Sequence, residues 1–271
     1  MAVKKGENTD YLSLIKNQEM SDHMASLRYA GMIQHALMPD PKSLKGFLKD
    51  LFVLFLPRDI VSGDFYYAFC NKQKMYIAAG DCTGHGVPGA LMSILGISFL
   101  NEIMQSGNQL KANRILNLMR EKVMKALSQT GDGAKTKDSI DIGLCIIDCA
   151  TGKLQYSGAN RPLLMMRKGE LTEFKPDKMT IGIAPLKEIP FTNIYIDTMP
   201  GDAFYLFSDG FSDQFGEISD KKFKYKHFKR LIESAAMFPM SQQKEHFARA
   251  FNEWKGSAQQ IDDVLVFGFQ L

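Results

Sequence analysis

The sequence predicts an α+β fold in which two largely antiparallel sheets pack together between helix pairs, with a helical extension at the N-terminus. Three observations point there. Short apolar runs recur along most of the chain, separated by polar or glycine-bearing turns. Two pairs of segments with helical periodicity interrupt them, one pair early and one late. The resulting order is strands, two helices, many strands, two helices and a last strand, which is not the regular alternation of a doubly wound sheet.

The elements follow in chain order. Met1 to Asp10 is polar and is expected to be disordered. Tyr11 to Met38 has no proline, and Met20, Met24, Leu27, Ala30, Ile33 and Leu37 recur at helical steps until Pro39 and Pro41 stop the pattern. That stripe can dock on the domain or pair with a second copy; it is too short and irregular for a strong coiled coil. Residues 1–40 are therefore set apart as a helical segment, and residues 41–271 as the globular domain. Leu51 to Leu56 is a continuous apolar run, expected as a buried strand. Phe65 to Phe69 and Met75 to Ala79, joined by an Asn71-Lys72-Gln73-Lys74 turn, suggest antiparallel neighbours. Val87 to Met104 and Asn113 to Leu127 have the period and length of helices, and Thr130 to Lys137 is a loop. Strands are expected at Ile140 to Ile147, Leu154 to Ser157, Leu163 to Arg167, Leu171 to Phe174, Phe191 to Ile196 and Ala203 to Phe207. Helices at Lys222 to Ala236 and Ser241 to Lys255 precede a closing strand, Val264 to Phe269.

Bulk properties narrow the class. A chain of 271 residues can bury a sizeable core, and 45% hydrophobic with 23% charged residues is a globular composition. With 33 basic and 30 acidic residues, the net charge of +3 is too balanced for nucleic acid or an anionic membrane as main partner. Cys70, Cys82, Cys145 and Cys149 form no C-x-x-C pair and have no histidine at zinc-ligand spacing. Free thiols in a reducing cytoplasm are expected. No uninterrupted apolar stretch is long enough to predict a transmembrane span, and the polar N-terminus lacks the core of a signal peptide.

The chemistry gathers around GDCTGHGVPGALMSILG, Gly80 to Gly96. An apolar strand runs into Asp81, glycines allow a tight turn, and Pro88 suits the first turn of the helix that follows. Other acidic sites share this strand-edge setting: Asp64 in VSGDFYY, Asp209 in LFSDGFSD, and the Asp262-Asp263 pair, with Asp141 a weaker fifth. Taken singly, each reads as a turn former. If the fold gathers them, they repel by about 4 kcal/mol per pair at ~4 Å and an effective dielectric near 20, so a positive group must lie among them. An all-oxygen set without cysteine or histidine pairs selects Mg²⁺ or Mn²⁺ over zinc. Cys82 as a nucleophile is disfavoured, because no arginine-bearing phosphate cradle follows it.

FLPRDIVSGDFYY, GDCTGHGVPGALMS, LFSDGFSDQ and the terminal DDVLVFGF, in this order, resemble the PPM-type metal-dependent Ser/Thr protein phosphatases. More narrowly they resemble the bacterial branch of sporulation stage II protein E and the stress-response regulator RsbU, as do SGANRPLLMMRKGE and IQHALMPDP. The resemblance implies an αββα sandwich holding two Mn²⁺ or Mg²⁺ ions, and hydrolysis by direct attack of a metal-bridging hydroxide. It implies that Asp81 bridges the ions, that the Cys82 carbonyl is the adjacent main-chain ligand, and that Asp209 and Asp262 complete the second site. It further implies that Asp64 holds metal-bound waters. Asp263 stays open as an alternative to Asp262. Arg58 stands near the place of a phosphate-gripping arginine of eukaryotic relatives, and His85 near that of a proposed general acid, with loop ordering as its other reading.

The implied substrate is a phosphoserine or phosphothreonine on a regulatory protein such as an anti-sigma-factor antagonist. The helix ahead of the domain is expected to carry a signal from an upstream sensor domain or partner and to form a homodimer. The alternative is a catalytically weak or inactive phosphatase-fold module that binds or signals. The basic run KKFKYKHFKR, Lys221 to Arg230, reads mainly as a helix start with Phe228, Leu231 and Ile232 facing the core; nucleic-acid binding or a basic rim for an acidic phosphoprotein are its other readings.

Overall fold

The computed structural model describes the backbone of residues 6–44, 48–71, 73–106, 109–129, 136–183 and 189–271, with side chains from residue 17 onward except 42 and 43. Among these residues, ten strands form two five-stranded antiparallel sheets. The first sheet runs in the order β1 (Asp50–Leu56), β10 (Val264–Gln270), β9 (Ala203–Phe207), β6 (Leu163–Arg167), β7 (Glu170–Phe174). The second runs β2 (Phe65–Cys70), β3 (Lys74–Cys82), β4 (Ile140–Asp148), β5 (Leu154–Ala159), β8 (Ile194–Ile196). Helices α2 (Gly86–Gln105) and α3 (Ala112–Ala126) cover the second sheet, and α5 (Tyr225–Ala235) and α6 (Met240–Lys255) cover the first. The four layers are those the element order implied.

Burial explains the layering. β1, β9 and β10 are apolar on both faces because each is covered twice, once by the other sheet and once by helices. Phe65, Ile77, Leu144, Tyr156, Leu206 and Phe267 belong to the core that the sheets share with α2 and α3. Phe52, Tyr205, Phe211, Phe228, Phe247 and Phe251 fill the space beneath α5 and α6. Helix α2 is long and apolar enough, by length and composition, to cross a membrane, which the sequence reading did not anticipate. Here Met92, Gly96, Ile97, Leu100 and Ile103 are buried in the domain core.

Some elements differ from expectation. The strand expected from Phe191 forms only over Ile194–Ile196, because Asn117 accepts the Phe191 amide (3.2 Å) and Asn113 donates to its carbonyl (3.0 Å), removing both from any ladder. The helix expected from Lys222 begins at Tyr225: Lys222 bridges back to Phe215, and Lys224 takes a positive φ of 72°. Within it Phe228 and Ile232 are buried, while Lys229 pairs with Glu173 (3.2 Å); Lys222, ahead of the helix, pairs with Asp213 (2.6 Å). One helical turn, α4 (Gly210–Asp213), has no periodicity to reveal it. Most of the expected Thr130–Lys137 loop lies outside the described residues.

The N-terminal helix α1 spans Gly6–Leu37, so Gly6 to Asp10 extend it where disorder was expected; adding residues to a formed helix is inexpensive. Its docking face is also not the expected one. Gly31, Gln34 and Met38 are buried against the domain, while Met20, Ile33 and Leu37 are exposed. The apolar stripe drifts around the helix, and the docked positions within it, Gly31 and Gln34, are small or polar; the apolar Met38 follows its last residue.

Candidate active site

Five chain segments end at one edge of the sandwich and carry the polar residues with them. Asp81 lies near the end of β3, opposite Asp141 of β4 in the antiparallel register. Asp209 follows β9, Asp262 precedes β10, and Asn160-Arg161 form the turn between β5 and β6. Asp81, Cys82, Thr83, Gly84, Ser139, Asp141, Arg161, Asp209 and Asp262 line one cleft of about 230 Å³. The expected convergence of Asp81, Asp209 and Asp262 is therefore present in space.

Glycines make the approach possible. A Cβ on Gly63 or on Gly89 would collide with the Gly84 carbonyl, so the loop before β2, the loop after β3 and the start of α2 touch backbone to backbone.

The centre of the cleft holds a guanidinium. Arg161 Nη2 lies 2.7 Å from Asp81 Oδ2 and 2.7 Å from Asp209 Oδ2, and 3.5 Å from Asp141 Oδ2. Asn160 Nδ2 donates to the other Asp141 oxygen at 2.9 Å. Behind the cleft Asp64 is buried and accepts a 2.5 Å hydrogen bond from the Ser208 hydroxyl.

The electrostatics are those of crowded acids. Burial first, and then the Asp81 charge, push the Asp64 carboxyl well above the usual carboxylate range, against the Ser208 hydrogen bond. Burial raises Asp81 to about 7; Arg161 opposes the rise, and Asp209, Asp262 and Asp141 add to it. Asp262 is raised by burial, with the Asp263 amide pulling it back and Asp209 pushing it up. Burial works against the charge of Arg161, but the three aspartates outweigh it and keep the guanidinium protonated. The Cys82 thiol is held well above its ordinary value by burial and by Asp81 and Asp64, so it is no thiolate nucleophile near neutral pH.

The remaining candidates separate. Asp263 is buried, with Oδ1 accepting the Arg58 amide and Oδ2 the Gly63 amide, both at 2.7 Å; its oxygens brace two loops instead of lining the cleft. Arg58 donates one guanidinium nitrogen, Nη1, to the Ile261 carbonyl (3.1 Å) and does not line the cleft. His85, 43% exposed, pairs through Nδ1 with Asp59 (3.0 Å) ahead of α2, a loop-ordering contact, and does not line the cleft. Arg161, Asn160 and Ser208 were not singled out from the sequence; their one signal was membership of SGANRP and LFSDG.

The donor set suits a hard divalent cation, since it is made of carboxylate and carbonyl oxygens crowded into one cleft. Among the described residues, no three His, Cys, Asp or Glu side chains are arranged as a ready cage for an ion, and Arg161 stands between Asp81 and Asp209.

Two antiparallel sheets between helix pairs, with aspartates from both converging at one end of the sandwich, define a PP2C-type Ser/Thr phosphatase domain. Residues 71–271 match the stage II sporulation protein E (SpoIIE) family, and the chain belongs to it. Among solved structures, the SiaA-PP2C domain of Pseudomonas aeruginosa is 31% identical, with a TM-score of 0.83 over 93% of this chain and 98% of that one. The PP2C domain of SpoIIE from Bacillus subtilis, solved with a fragment of its regulatory domain, aligns at 18% identity and a TM-score of 0.65, covering 82% of this chain and 63% of that one. RsbX in complex with magnesium aligns at 13% identity and a TM-score of 0.54, covering 82% and 94%. No curated protein matches the chain in sequence.

Proposed function

We propose that the domain is an active Mn²⁺- or Mg²⁺-dependent phosphatase that hydrolyses phosphoserine or phosphothreonine on a small regulatory protein of the anti-sigma-factor-antagonist type. The observation that carries this reading is the meeting of Asp81 and Asp209, from different sheets, on one central cation in a cleft that also presents Asp141 and Asp262. Asp81, Asp209, Asp262 and the Cys82 carbonyl would hold two ions, with Asp64 behind them ordering what the ions bind. Bound there, divalent ions would supply an activated water and neutralise the charge that develops on the phosphoryl group. The residues themselves fix the cleft: the Gly63–Gly84–Gly89 contact sets the loop, and Asp263 braces Arg58 and Gly63 beneath it.

The test is turnover of p-nitrophenyl phosphate and of a phosphoserine peptide by the purified chain. Activity is expected with Mn²⁺ or Mg²⁺ and none in excess chelator. Undiminished turnover in chelator ends the metal reading; no turnover with either ion favours the non-catalytic module.

We further infer a two-part organisation, residues 1–40 as a regulatory dimerisation segment and 41–271 as the phosphatase, acting in the cytoplasm, where the four free cysteines are at home. A sensor domain or partner would act through α1. Dimerisation is supported by the back of that helix, where Tyr29, Met32 (67% exposed) and Ile33 (47%) form an apolar face pointing away from the domain. Ile33→Asp is expected to turn a wild-type dimer into a monomer by light scattering without lowering the thermal midpoint of the domain. A wild type that is monomeric at every concentration ends this inference.

A further inference from the structure

We propose that Arg161 is a built-in counter-cation of the cleft, one that yields its place to a divalent ion and so sets how tightly that ion binds. The inference rests on the metal-dependent reading above and deepens it.

The turn that carries Arg161 is rigid. Asn160 takes a positive φ of 55°, and its amide donates to the Asp177 carbonyl at 2.9 Å. The Arg161 amide turns back to the Ala159 carbonyl at 2.7 Å, and the Tyr156 hydroxyl donates to the Arg161 carbonyl at 2.5 Å. A Cβ on Gly158 would strike both that hydroxyl and that carbonyl. The main chain is thus fixed at the rim, and the side chain, 13% exposed, reaches inward among the acids.

The way it uses its nitrogens is unlike a structural arginine lock. Arg167 shows such a lock in the same molecule: Nε donates to Asp202 Oδ1 at 2.8 Å and Nη2 to Oδ2 at 2.6 Å, a two-pronged fork on one carboxylate. Arg161 instead points one nitrogen, Nη2, at three carboxylates, and its Nε is buried with no hydrogen-bond partner. It behaves as a point charge, the role of an ion, and leaves a donor unmet. Among the described residues, it is also the one basic side chain lining the cleft.

Arginine and ion exclude each other. Asp81 Oδ2 and Asp209 Oδ2 each lie 2.7 Å from the same nitrogen, and Mg²⁺ would sit about 2.0–2.1 Å from such oxygens, within the space of that nitrogen. The positive charge of Arg161 also repels any ion approaching these carboxylates. Both effects have the same sign: the guanidinium weakens ion binding, and it keeps the acids from driving the cleft apart until an ion arrives.

Calorimetric titration with Mn²⁺ of the chelator-stripped full chain tests this. Arg161→Gln is expected to bind Mn²⁺ at least about tenfold more tightly than wild type. Its melting temperature in chelator should fall below the wild-type value, and Mn²⁺ should raise it by more. Equal or weaker Mn²⁺ binding by the variant overturns the proposal. If the variant does not fold in chelator, the wild type decides by NMR: on Mg²⁺ saturation the Arg161 Nε–H resonance moves if the proposal holds and stays if it fails. Wild type and variant both failing to bind Mn²⁺ and Mg²⁺ would end the metal-dependent reading as well, whereas equal binding by both removes only the role of Arg161.

Discussion

Asp81→Asn is expected to lower Mn²⁺-dependent phosphoester turnover by ~10³-fold or more while leaving the fold intact. The substitution keeps the shape of the side chain and removes its charge. Asp81 is the carboxylate on which the site turns: it stands at the mouth of β3, faces Asp141 across the ladder, and shares Arg161 Nη2 with Asp209. Burial and three acidic neighbours raise it to about 7, so the charged form is held at the expense of folding stability. A neutral asparagine relieves that repulsion, and the thermal midpoint in chelator should be no lower than the wild-type value. Loss of activity without loss of stability separates a functional role from a structural one. Cys82→Ala is the control. Its buried, protonated thiol takes no part, the main-chain carbonyl is retained, and activity should persist. Wild-type turnover by Asp81→Asn, measured as kcat/KM at saturating Mn²⁺, would remove the metal cleft from the mechanism.

How much of this could be read from the chain depends on what kind of force places each residue. The four layers were legible because runs such as Leu51 to Leu56 and Val264 to Phe269 are apolar on both faces, and only doubly covered strands can be. Asp81, Asp209 and Asp262 were legible as strand-edge acids within ordered motifs. The choice between Asp262 and Asp263 was not settled by the residues. The two are adjacent and carry the same charge, and only the folded register sends one into the cleft and the other to the Arg58 and Gly63 amides. Arg161 was invisible for a similar reason: an arginine in a turn means nothing until the β5–β6 turn is folded opposite Asp81. The docking face of α1 escaped because periodicity detects apolar surface. Docking there relies on close approach and hydrogen bonds; a Cβ on Gly31 would lie 2.9 Å from the Ile60 carbonyl.

Gln34→Leu is expected to destabilise the domain by about 2–3 kcal/mol and, at saturating Mn²⁺, to lower turnover by up to ~10²-fold. Gln34 is 3% exposed, and its amide reads the backbone of Ser62 as a neighbouring strand would. Its Nε2 donates to the Ser62 carbonyl at 2.6 Å and to the Ser93 hydroxyl at 2.7 Å, and its Oε1 accepts the Ser62 amide at 3.0 Å. Leucine matches the volume but strands the Ser62 amide in the interior. The activity loss follows from what Ser62 adjoins. The next amide, Gly63, donates to Asp263 at 2.7 Å, and the Ser62 hydroxyl accepts the Asp64 amide at 3.0 Å. Freeing Ser62 therefore loosens both the brace under the cleft and the acid behind it, and a displacement near 1 Å is enough for a loss of that size. Urea midpoints and Mn²⁺ titrations of activity measure the two effects separately. Ile33, one residue earlier but on the exposed back of the helix, is the internal comparison: Ile33→Asp should change association and leave the Mn²⁺ response of the domain alone. If Gln34→Leu unfolds and titrates like wild type, α1 is a passive extension. If it does not, a turn of α1 about its own axis would withdraw the Gln34 amide from Ser62, and the Ser62–Asp64 loop beneath the cleft would register what happens to the helix.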